Sequence, residues 1–219
     1  MRSVLRSLVP ALVIVSIAAL SAQQPQQPPR RPASPPGTAQ TQVGGKWVAP
    51  PDKPGAAPRY EGGKWIEVTY GRPIIKGRED IFGTGADYGK AISAGSTVWR
   101  AGANLTTRFM TEAPLVFAGK TLPAGEYSLF VELKAGAWTM IFSKQPFQQK
   151  YDPADKVNTF GSYNYDPAQD VLRVPMTLAK SPYSVDQFTI GFVDMTQQGG
   201  KLAMWWDREF ATASFTVGS

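Results

Sequence analysis

The chain has 219 residues, with 23 basic and 17 acidic side chains and a sequence pI near 9.5, but no histidine and no cysteine. Those two absences exclude Ser-His-Asp and Cys-His nucleophilic sites, disulfides, thiol redox chemistry and the usual zinc ligand sets. Arg2, Arg6, Arg30 and Arg31 all precede the first acidic residue, Asp52; without those four, 19 basic residues face 17 acidic ones. A balance of +2 argues against nucleic acid as a partner, which calls for a concentrated basic face.

Residues 1–22 have the three parts of a signal peptide. Arg2 and Arg6 form the positive n-region, residues 8–20 are apolar, and Ala19-Leu20-Ser21-Ala22 offers small residues for cleavage. The apolar run contains Pro10 and falls short of the ~20 residues a spanning helix needs. The expectation is an exported protein, periplasmic or secreted, with no membrane span after cleavage. Residues 23–58 hold ten of the 19 prolines, with repeated Gln, Gly and Ala, and read as a disordered linker that buries too little to offset its ordering entropy. Within this segment, Gly44-Gly45-Lys46-Trp47-Val48 is echoed by Gly62-Gly63-Lys64-Trp65-Ile66. Two copies are too few for a solenoid. The second copy enters a strand; for the first an extra edge strand is the alternative, and the favoured expectation is that it stays unstructured.

Residues 59–219 suffice for one domain with its own core. Their dominant period is two. Ile66, Val68 and Tyr70 alternate with Glu67 and Thr69, and Tyr127, Leu129 and Val131 alternate with Ser128, Phe130 and Glu132. Leu172, Val174, Met176 and Leu178 repeat the pattern, as do Phe188, Ile190 and Phe192, then Leu202, Met204 and Trp206, and finally Ala211, Ala213, Phe215 and Val217. Gly- and Pro-bearing turns separate the runs, at Leu122-Pro123-Ala124-Gly125, Lys134-Ala135-Gly136 and Gln197-Gln198-Gly199-Gly200. The spacing predicts an all-β fold, an antiparallel β-sandwich or partly open barrel, with at most a short helix or turn over residues 80–90. Pro175 lacks a backbone donor, so its strand is expected at an edge or a bulge. The six tryptophans are expected to fill the core, each contributing up to ~4–6 kcal/mol, so stability requires no metal, disulfide or cofactor.

Four ordered motifs stand out. The first runs from Tyr70-Gly71-Arg72-Pro73 through Lys76-Gly77-Arg78 to Ile81-Phe82-Gly83, and the second is Val98-Trp99-Arg100-Ala101-Gly102-Ala103-Asn104. The third is Leu122-Pro123-Ala124-Gly125-Glu126-Tyr127-Ser128-Leu129-Phe130; the fourth joins Tyr163-Asn164-Tyr165-Asp166-Pro167 to Asp170-Val171-Leu172-Arg173-Val174. Together they resemble the exported bacterial family known as domain of unknown function 2911, over about residues 60–217. Phe160-Gly161-Ser162-Tyr163 stands where that pattern has Trp-Gly-Ala-Tyr, and the Trp205-Trp206-Asp207-Arg208 region is looser. The resemblance implies an exported β-domain and brings no reaction or ligand with it.

Trp99, Arg100 and Asn104 form the sharpest cluster. Arg offers a planar fork of donors, Asn a donor and an acceptor, and Trp a stacking face, a set suited to a carboxylate, a sugar or a peptide terminus. The competing reading places Trp99 in the core and pairs Arg100 with a buried carboxylate. Arg72, Lys76 and Arg78 follow the first strand in a Gly- and Pro-bearing connection, as anion contacts or as a solvated basic turn. Tyr151-Asp152-Pro153-Ala154-Asp155 and Tyr165-Asp166-Pro167 read as turns, and Asn164, Asp166 and Asp170 supply too few oxygens for Ca²⁺. A two-carboxylate hydrolase acting on envelope glycans needs no imidazole, with Glu126, Glu132, Asp207 and Glu209 as nominal candidates. The leading expectation is a non-catalytic module that binds a small ligand or an envelope protein through Trp99, Arg100, Asn104, Arg72 and Arg78. Such a hydrolase, or an assembly module using a sheet edge or Trp205 and Trp206, is the alternative.

Overall fold

A computed structural model describes residues 32–218. The signal peptide and the first part of the linker lie outside the described residues. In chain order the strands are β1 (Pro36–Val43), β2 (Lys46–Val48), β3 (Arg59–Glu61), β4 (Lys64–Gly71), β5 (Thr107–Thr111), β6 (Leu115–Phe117) and β7 (Lys120–Leu122). They continue as β8 (Gly125–Lys134), β9 (Ala137–Ser143), β10 (Asp170–Pro175), β11 (Thr177–Thr196) and β12 (Gly199–Val217). One helical turn, α1 (Lys90–Ser93), lies between β4 and β5. Six strands form one antiparallel sheet in the order β1-β4-β5-β8-β9-β10, and four form a second in the order β11-β12-β6-β7; β2 and β3 make a small separate ribbon. The all-β sandwich is the architecture the period-two pattern calls for.

Strand alternation delivers Ile66, Val68, Phe109, Leu129 and Val131 from the first sheet to an interior shared with Phe188, Ile190, Leu202, Met204 and Trp206 of the second. Tyr70 ties the layers together: its hydroxyl donates to the Ile190 carbonyl (3.3 Å) and accepts the Ile190 N–H (2.8 Å). Pro175 does end an edge strand, β10. Immediately afterwards Met176 donates to the Trp138 carbonyl (2.9 Å), and Thr177 opens β11 in the other sheet. The chain therefore changes layers where proline cannot continue a ladder.

Three expectations are corrected. Residues 36–48 are not linker: β1 pairs along its whole length with β4, from Pro36↔Gly71 to Val43↔Lys64, and buries Val43 completely. Pro36 is tolerated there because it is the first residue of an edge strand. The first Gly-Gly-Lys-Trp copy is also structured, as β2 paired with β3. Finally, not all tryptophans enter the core; Trp99, Trp138 and Trp206 do, whereas Trp47 and Trp65 are 64% and 43% exposed.

Candidate functional site

Residues 98–104 lie beside β8, where Trp99 exchanges both backbone hydrogen bonds with Val131 (2.8 Å each). Extended backbone sends consecutive side chains to opposite faces, so Trp99 and Arg100 diverge. Trp99 turns inward: it is 1% exposed, stacks on Trp206 (5.9 Å, 12°) and meets Phe188 edge-on (4.8 Å). Its indole N–H donates to the Gly102 carbonyl (3.1 Å). Trp99 is thus a core side chain that supports the site, not the stacking face expected for a ligand.

Arg100 remains half-buried on the other side. Its Nη1–H donates to the Asn104 carbonyl (2.7 Å), and its guanidinium lies against Gly161, where any Cβ would overlap it. No carboxylate pairs with Arg100 among the described residues. Burial pulls its pKa down from the ordinary value, because desolvation disfavours the charged form. Asn104 holds a left-handed φ of 65°, which aims its carbonyl at Arg100, and its Nδ2–H donates to the Ser34 carbonyl (2.9 Å). One Nδ2–H is therefore taken by the backbone; Asn104 positions Arg100 and fastens the segment leading into β1.

Arg78 joins the cluster from the connection after β4. It donates to the Ile74 (2.8 Å) and Ile75 (3.1 Å) carbonyls, and its guanidinium lies 5.9 Å from the Trp206 ring centroid. Arg78, Arg100 and Asn104 line one cleft of about 600 Å³, with Glu79 and Asp80 also in its wall and Trp99 and Trp206 behind. Across the Asn104 turn lies a second cleft of about 490 Å³ that shares Ser34, Ala103 and Asn104 and is otherwise lined largely by apolar groups such as Pro36, Leu105 and Phe147.

Arg72 belongs to neither cleft. It donates through Nε to the Phe188 carbonyl (3.3 Å) and through Nη2 to the Thr189 hydroxyl (3.1 Å), so it bridges the two sheets apart from Arg78 and Arg100. The motifs converge all the same. Gly71 packs against the Ala103 carbonyl so closely that a Cβ would overlap it, and Ala103 donates to the Gly71 carbonyl (3.2 Å). Arg100 on Gly161 brings in the segment before the fourth motif. Glu79 and Asp80 were missed as cleft residues, adjacency to Arg78 being their only sign; Trp206, expected with Trp205 as an assembly surface, is instead 3% exposed and backs the cleft.

The four nominal catalytic carboxylates all have partners: Arg108 for Glu126 (2.6 Å), Lys134 (2.6 Å) and Arg173 for Glu132, Ser184 for Asp207 (2.8 Å) and Lys180 for Glu209. Asp152 and Asp166 cap turns through the Ala154 and Ala168 N–H groups (2.9 Å each), the role their Asp-Pro context indicates. Among the described residues no helix is long and apolar enough to cross a membrane.

No curated protein and no solved structure matches the chain. A family profile described as "Protein of unknown function (DUF2911)" matches residues 54–215, which contain β3 through most of β12, all four motifs and both arginines of the polar cleft. With roughly three quarters of its length inside that match, the chain belongs to the DUF2911 family of proteins of unknown function.

Proposed function

We propose that this protein is a non-catalytic binding module whose polar cleft takes a small ligand through a carboxylate or similar anion. The observation that carries this reading is Arg100: a partly desolvated guanidinium in a cleft, held by one backbone carbonyl and without an acidic partner among the described residues. Building such a group costs free energy, and an incoming anion offsets the cost with a charge-assisted hydrogen bond. Arg78 supplies a second cation in the same cleft, while Glu79 and Asp80 favour a ligand that also carries a donor or a positive group. The neighbouring apolar cleft makes apolar-tailed carboxylates the first compounds to try. The leader-like first 22 residues support action outside the cytoplasm.

Calorimetric titration with a panel of amino acids, short peptides and fatty carboxylates tests the proposal. A binder found in that panel should lose about tenfold to hundredfold affinity in Arg100→Gln, the loss of one charged hydrogen bond. Asn104→Gly, which keeps the left-handed backbone but frees the Ser34 carbonyl, should weaken binding less. No binder in the panel, or one indifferent to Arg100→Gln in a folded protein, overturns the assignment.

A further inference from the structure

The repeated Gly-Gly-Lys-Trp segments build a second surface, remote in sequence from Arg100. The two copies adopt the same local geometry. Gly44 and Gly62 both have φ of 72°, a left-handed conformation suited to glycine. Gly45 and Gly63 both sit against the Tyr60 ring, where a Cβ would lie 2.6 Å from the same ring carbon. Tyr60 is thus clasped between the two glycine turns, and its hydroxyl accepts the Gly45 N–H (3.0 Å). The Gly44 N–H donates to the Gln197 carbonyl (2.8 Å), fastening the β1–β2 turn to the β11–β12 hairpin.

Each copy then presents a tryptophan. Trp47 lies edge-on to Tyr60 at 5.4 Å, and Trp65 faces Gln42 directly across the β1–β4 ladder. With Gln197 and Met195 these residues enclose an open trough of about 530 Å³. Two indoles at 64% and 43% exposure are an unusual burden on a surface, and their grouping marks a contact site. The lining contains no aspartate, glutamate, lysine or arginine. The Gln42 and Gln197 carboxamides make no hydrogen bond to any described residue, so each offers a free donor and a free acceptor beside the rings.

We propose that this trough binds a neutral carbohydrate chain. Sugar rings present an apolar C–H face that stacks on an indole and a rim of hydroxyls that both donate and accept, which is what aromatic rings flanked by carboxamides complement. A bilayer would instead meet an apolar tip without such partners, whereas here two carboxamides stand among the rings. The inference is independent of the Arg100 cleft, because no residue lines both.

The test is intrinsic tryptophan fluorescence and calorimetry of the whole protein with neutral hexasaccharides: β-1,4-glucan, α-1,4-glucan and β-1,4-linked N-acetylglucosamine. At least one should bind and shift the indole emission. Trp47→Ala and Trp65→Ala should each weaken it about tenfold or more with the melting temperature unchanged, and Arg100→Gln should leave it unaltered. Three results overturn the proposal: no binding of any of the three up to millimolar concentration, binding that survives both tryptophan substitutions, or self-association or vesicle binding that requires these tryptophans while no glycan does.

Discussion

Arg100 and Gly161 form a unit at the scale of single residues. Gly161 has φ of 64° and supports the guanidinium at a distance that leaves no room for a methyl group. Gly161→Ala therefore combines a strained backbone with displacement of Arg100, and we expect a loss of about 1–3 kcal/mol in stability from those two effects. Urea unfolding of the variant measures it; an unchanged midpoint would mean that Arg100 swings away freely and that the cleft is not preorganised. The cluster around Arg100 was half legible beforehand. Trp99, Arg100 and Asn104 are close in sequence, but alternation on extended backbone sends Trp99 into the core behind the cleft while Arg100 stays at its wall, so an exposed Trp99 face beside Arg100 was not to be expected. That Arg78 would reach the cleft while Arg72 would turn to Phe188 and Thr189 depends on how the connection after β4 crosses the sandwich, and no local pattern encodes that path.

Among the elements, β12 shows how much a period-two reading contains. Leu202, Met204 and Trp206 are buried at even positions, whereas Glu209, Ala211, Ala213 and Phe215 are buried at odd ones. The change of phase was visible in the sequence and requires an extra residue; it falls at Asp207, with φ of 51°, where β11 loops out between Lys180 and Val185. The edge strand β10 is held differently, by charge. Arg173 pairs with Glu132 of β8 and with Asp170 (2.7 Å), and Tyr165 donates to the same Asp170 oxygen (2.8 Å). A hydrogen bond from Lys134, aided by the Lys134 and Arg173 charges, holds the Glu132 carboxyl below its ordinary value despite partial burial. A depressed carboxylate stabilises the fold fully above its unfolded pKa, about 4.3, and that contribution disappears as pH falls through the lower folded value. Glu132→Gln should thus melt earlier than the unmodified protein at neutral pH, and the two should converge toward about pH 3. Melting curves across that range decide it, and a constant gap at both ends would assign the effect to packing.

For the whole molecule, the question is what β1 contributes, since it precedes the matched span of residues 54–215 yet completes the larger sheet. Its sequence concealed it: proline, glutamine and threonine carry little apolar weight, and only Ala39 and Val43 turn inward. The hydrogen-bond ladder to β4 carries the rest of the argument. Without β1, the row of backbone groups along Lys64–Gly71 becomes an open edge, a template for pairing with another copy. Loss of Val43, completely buried at the Lys64 end of the ladder, and of Ala39, opposite Val68, would also open the core along β4, with ~2 kcal/mol in lost burial from the valine alone. A chain trimmed to begin at residue 54 should therefore unfold at a lower temperature than one beginning at residue 32. It should also sediment as dimers or larger species, with association suppressed by a lysine placed on the outward face of β4, as in Thr69→Lys. The trimming also removes Trp47 and Gly45, so the aromatic trough opens on one side even if the sandwich survives. A trimmed chain that stayed monomeric with an unchanged melting temperature would show that β4 is a self-sufficient edge and that β1 serves the two binding surfaces beside it.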